Sequence, residues 1–150
     1  MTFPKARLVV SACLFVGWLG FLLFLVLDTN TIILSRPQFL IAQTYAVVEL
    51  HDGAAGKPDP MVLIDEVIWS ADPADEGLVK KQVRIPGVAV CGPDEGYAGP
   101  GQYLLPLLKT SRGAYVITPM PKTAHTPEIR IYPWTPGMRS QVEDLIASKK

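Results

Sequence analysis

Cys91 opens the stretch CGPDEGYAGPGQYLLPL, which sets a thiol beside two acids, four glycines and three prolines. A thiol becomes a nucleophile only when a base or a positive field lowers its pKa. The chain's two histidines, His51 and His125, are both remote from Cys91 in sequence, so nothing local supplies that base. The glycines do not form a phosphate cradle either. A P-loop needs Gly-Lys-Ser/Thr at the start of a helix, and here Gly101 leads into the strand-like QYLLPLL. The stretch is expected to be a turn feeding a strand, with Cys91 a partly buried small side chain. With no disulfide needed, Cys91→Ser is expected to leave stability nearly unchanged.

Metal chemistry has equally little local support. His51-Asp52 and His125 stand apart, with no HxxxH or CxxC spacing. Asp65-Glu66 and Asp75-Glu76 are adjacent pairs. In a strand, neighbours point to opposite faces, so neither pair makes a paired-carboxylate site, and both are expected on solvated surface. No catalytic, cofactor or metal residue is assigned, and no cofactor is expected.

Residues 8–27, LVVSACLFVGWLGFLLFLVL, carry no charge. A helix of that length spans about 30 Å, the thickness of a bilayer core. A cleavable signal has a shorter apolar region and a small-x-small cleavage site, whereas Asp28-Thr29-Asn30-Thr31-Ile32 follows here, which favours an uncleaved signal anchor. Lys5 and Arg7 precede the run and Asp28 follows it, so the N-terminus is expected in the cytoplasm and the rest outside, in the periplasm if the cell is bacterial. Within the run Cys13, Gly17 and Gly20 recur at i, i+4 and i+7, a strip of small side chains along which another helix could approach closely.

Residues 1–7 are then a cytoplasmic tail, 8–27 the anchor, 28–37 a juxtamembrane linker and 38–150 an ectodomain. From Arg36 onward thirteen acids face twelve Lys or Arg, in no run longer than a pair, so no basic face for nucleic acid is expected. Cys13 lies in the apolar run and Cys91 beyond it, which excludes an intrachain disulfide framework. The core alone must hold the domain.

β-rich, alternating segments predict strands over 39–50, 61–69, 78–86, 102–108 and 114–119, with a short extended piece at EIRIYPW. Pro106 lacks a ladder donor, so its strand is expected at an edge or with a bulge. Thr135 is placed as a helix cap with Pro136 behind it, and Met138, Val142, Leu145 and Ile146 make an apolar stripe. Five strands and a terminal helix predict a small, partly open barrel.

The segments VVEL, LIDEVIW, VRIPG, CG and GQYLLPL follow an order that resembles OB-fold domains of the netrin-like type, which include the amino-terminal domains of tissue metalloproteinase inhibitors. The resemblance covers roughly residues 46–119 and implies a five-stranded OB-like barrel. Two departures stand out: the netrin-like disulfides are absent, and no free amino-terminal cysteine is there to chelate a protease zinc. No inhibitory site is carried over.

The expectation is therefore a single-pass membrane protein whose small β ectodomain is a non-enzymatic interaction module or accessory subunit. Its partners would be the lipid bilayer and another membrane protein. The alternative is an exported enzyme or metal-dependent hydrolase using His51, Cys91 or His125, which would have to converge in one pocket.

Overall fold

The computed structural model describes residues 3–28, 32–121 and 128–149. The chain divides into two compact units, Met1–Ile33 and Leu34–Lys150.

The first unit contains one helix, α1 (Phe3–Asp28). Its apolar window Leu8–Leu25 has a mean hydropathy of 2.5 and none of it is buried. Leu, Val and Phe surround the whole circumference, so the helix has no polar face to give to water.

The second unit begins with α2 (Arg36–Ile41), where the sequence predicted the start of a long strand. Pro37 decides this. Its ring fixes φ near the helical value, and its missing N–H falls where a helix start has no partner for one. The turn ends at Ala42, whose N–H donates to the Gln38 carbonyl at 3.2 Å. The strand that follows, β1 (Thr44–Leu50), is correspondingly shorter than predicted.

Five more strands complete a curled antiparallel sheet: β2 (Met61–Ser70), β3 (Gln82–Arg84), β4 (Gly101–Lys109), β5 (Tyr115–Ile117) and β6 (Tyr132–Pro133). Their order is β3-β2-β1-β4-β5, and β6 also pairs with β4. Register shifts between Tyr45 and Ala46 and between Val47 and Val48 mark irregularities in the β1–β2 ladder. Bulges of this kind bend a strand and increase its twist, which curls the sheet into a half-barrel. Among the described residues β3 and β5 do not pair, so the sheet stays open there.

The predicted third strand shrinks to three residues because Pro73–Leu78 forms a 3-10 turn and Lys80 takes a left-handed φ of 63°. Pro106, expected at an edge or a bulge, instead lies inside β4, paired with Tyr45 in a continuous register. Its carbonyl accepts from the Thr118 N–H at 2.8 Å. A strand residue turns its N and O toward the same neighbour, so the missing donor faces the side where β5 gives way to β6 and leaves the β1 ladder intact.

Both faces of the sheet are covered. Ala46, Val48 and Leu50 join Val62, Ile64, Tyr103, Leu105 and Leu107 in the core under the curl. The alternate residues Tyr45, Val47 and Leu104 are also buried, on the opposite face. Phe39 of α2 meets Tyr45 there with ring centroids 5.0 Å apart, and Tyr132 at 5.5 Å. Buried Gln38 ties α2 down by donating to the Thr118 and Arg130 carbonyls at 2.7 and 3.0 Å and accepting from the Tyr132 hydroxyl at 2.8 Å.

The helix α3 (Met138–Ala147) buries Met138, Val142 and Leu145, while Ile146 of the predicted stripe is half-buried. Its N-cap is Gly137, without a side-chain cap, in place of Thr135. The Thr135 and Pro136 carbonyls accept from Met138 and Arg139 in a preceding turn. Arg139 grips Glu66 of β2 with both carboxylate oxygens, at 2.8 and 3.0 Å.

Candidate functional site

The glycine- and proline-rich stretch is a closed structural loop. The Gly92 N–H donates to Glu95 Oε2 at 2.6 Å, and the Tyr97 N–H to the Gly92 carbonyl at 2.9 Å. Gly96 has a φ of 96°, and a Cβ there would collide with the Ile131 carbonyl, so two separate constraints require glycine. Tyr97 stacks on Tyr103 at 5.7 Å and donates to Asp52 Oδ1 at 2.7 Å.

Cys91 lies fully inside the core, with no exposed surface, where the sequence suggested partial burial. Its Sγ is 3.4 Å from the Gly87 carbonyl oxygen, to which it donates. Burial, aided by the nearby Glu95 charge, pushes the thiol up to about 12, so it stays protonated at neutral pH. His51 is exposed at the end of β1, and His125 lies outside the described residues. Among the described residues no three His, Cys, Asp or Glu side chains group to hold a metal ion.

The most concentrated polar cluster is one that sequence reasoning missed. Asp75, expected in solvent, is only 2 % exposed. Its Oδ2 accepts from Thr44 Oγ1 at 2.6 Å and from Ser70 Oγ at 2.7 Å, and its Oδ1 accepts from the Tyr115 hydroxyl. Lys109 Nζ stands 3.5 Å from the same carboxylate and 2.8 Å from Asp72. Burial by itself would raise the Asp75 pKa, but the three hydroxyl bonds and the Lys109 charge together hold it below the ordinary carboxylate value. The cluster joins β1, β2, β4 and β5 to the Pro73–Leu78 turn. A carboxylate whose oxygens are taken up by internal donors is suited to holding strands together and poorly placed to move a proton.

A second cluster lies on the other face. The Lys149 ammonium sits 4.1 Å from the Trp69 ring centroid and 4.8 Å from that of Tyr45, and donates to the Ala42 carbonyl. Nothing in the local sequence signals it, since the partners come from distant segments.

Two open surfaces among the described residues bear on the sequence expectations. Beside α3, Leu34, Arg36, Gln141, Asp144 and Leu145 line a cleft of about 280 Å³. That is below the usual size of a small-molecule pocket, and neither His51 nor Cys91 lines it. On α1, helical spacing brings Cys13, Gly17 and Gly20 to one side. Cys13 is exposed, and a Cβ added at Gly17 or Gly20 would touch nothing within 4 Å.

No family model matches the chain, and no curated protein or solved structure does so either.

Proposed function

We propose that the chain is a single-pass membrane protein that displays an OB-like β domain outside the membrane as an interaction module or an accessory subunit of a membrane complex. One observation carries this reading: an apolar helix long enough to cross a bilayer, with none of its window buried, precedes a separately compact unit. Lys5 and Arg7 before the helix and Asp28 after it favour a cytoplasmic N-terminus. The strand order β3-β2-β1-β4-β5 is that of a five-stranded OB barrel opened along one seam, which supports the OB-like description. The buried, protonated Cys91 thiol and the internally committed Asp75 favour binding over catalysis.

The partner contact on this reading runs along Cys13, Gly17 and Gly20. Replacing Gly17 and Gly20 together with leucine keeps the helix apolar and blocks close approach. The doubly substituted protein is expected to stay in the membrane fraction, with a C-terminal reporter active only outside, while recovery of a co-purifying membrane protein falls. Reporter activity in the cytoplasm overturns the topology, and unchanged recovery removes the strip from the interface.

A further inference from the structure

The short helix α2 buries Gln38 and Phe39 yet leaves two large apolar side chains in the open: Leu40 is 43 % exposed and Ile41 is 55 % exposed. Neither is explained by the packing of the domain, whose second face is already filled by Phe39, Tyr45 and Tyr132. We propose that Leu40 and Ile41 are a lipid-contact surface, seating this end of the domain in the interfacial layer of the membrane that α1 crosses. The inference rests on the anchor reading and extends it.

Chain length identifies the occupant. Asp28, the first charge after the apolar window, precedes Leu34 by six residues, which at full extension reach about 20 Å. A six-residue helix adds about 9 Å. On the anchor reading Leu40 and Ile41 therefore stay within about 30 Å of the hydrocarbon edge, a reach that includes the polar layer, about 5–8 Å thick on each side. The tether also removes most of the cost of association. Two apolar side chains would bind a membrane weakly from free solution, but held beside it they meet a high effective concentration of lipid. The contact is apolar in kind: Arg36, the one basic residue of α2, shares a cleft with Asp144 of α3, and Lys149, beside the end of α2, is turned onto the Tyr45 and Trp69 rings. A cytoplasmic-type attraction of basic side chains to anionic headgroups therefore does not account for it.

Site-specific depth quenching of the full chain in zwitterionic vesicles tests the proposal. In a Cys13→Ser background, with Cys91 buried beyond reach of the label, single cysteines replace Ile41, Lys57 or Leu22. Each carries an environment-sensitive fluorophore that is quenched by nitroxide lipid. Lys57 is exposed beyond the far end of β1, and Leu22 lies in the apolar window. The label at position 41 is expected to be quenched roughly threefold more than that at 57, as for a surface helix seated about 5–10 Å deep. The difference should persist in about 0.5 M salt, where charge attraction is screened within a few Å. Quenching at 22 with 41 no different from 57 overturns the lipid surface and leaves the anchor standing. No quenching at 22 overturns the anchor, and the lipid surface with it. Loss of the signal at 41 in salt overturns its apolar basis.

Discussion

Helix α1 and strand β1 are built from the same kinds of residue and meet opposite ends. The Leu8–Leu25 window has none of its surface buried, whereas six of the seven residues of β1, TYAVVEL, are buried. The strand is covered on one side by the half-barrel core and on the other by Phe39 of α2 and Lys149, so each of its alternating faces finds protein. The helix presents apolar side chains around its full circumference and no protein covers them. Apolar composition therefore does not distinguish a core element from an uncovered helix; what distinguishes them is whether the rest of the chain brings a cover.

The sharpest way to test this difference is to place the same charge in each. Val48→Asp puts an unpaired carboxylate where no solvent reaches, and is expected to cost more than about 4 kcal/mol and abolish the cooperative melt of the domain. Val16→Asp, at a position 68 % exposed, should leave the domain's melt unchanged and lower the membrane-bound fraction, at an insertion cost of about 3 kcal/mol. Near-ultraviolet circular dichroism in mild detergent and membrane fractionation read the two effects. If Val48→Asp melts normally, β1 is not the core strand described.

A smaller effect is expected where β1 ends in polar company. Asp75→Asn removes the charge that Thr44, Ser70, Tyr115 and Lys109 surround, and should cost about 2 kcal/mol at neutral pH. Because the folded Asp75 pKa is lowered, its contribution is present above the unfolded value of about 3.9 and is lost as pH falls through the lower folded value. The wild-type urea midpoint should therefore fall in acid below about pH 4 more steeply than that of Asp75→Asn. Parallel pH profiles would remove Asp75 from the acid response.

The smallest effect compares the two cysteines. Cys13→Ser should not change the domain's stability, while Cys91→Ser places a hydroxyl among Val88, Ile85 and Ile131 and should cost about 1–2 kcal/mol. Because the thiol is fully buried, this replaces the sequence-based expectation of no change, which followed from a domain that needs no disulfide. Chemical denaturation resolves a difference of that size.

Strands β2, β4 and β5 were legible because their alternation is bounded by dense turn signals, and α3 because its stripe recurs at helical spacing. FLIAQ has the β-branched and aromatic content of a strand, but Pro37 ahead of it sets a helix. Pro106 implies an edge or a bulge because sequence cannot show that its second neighbour changes from β5 to β6 at that point. The Asp75 cluster was hidden for a related reason: Thr44 and Tyr115 lie 31 and 40 residues away, so the donors that make a buried carboxylate tolerable are invisible from its own surroundings.

The aromatic seat of Lys149 has a consequence for biosynthesis. Its bond to the Ala42 carbonyl joins groups separated by 107 positions, and the Gln38–Tyr132 bond on the same face joins groups 94 apart. During synthesis, Tyr45 emerges long before Lys149, whose ammonium lies over its ring. A nascent chain thus carries the apolar β1 segment incompletely covered for most of its translation. Such long-range closure slows folding and exposes the incompletely covered chain to aggregation.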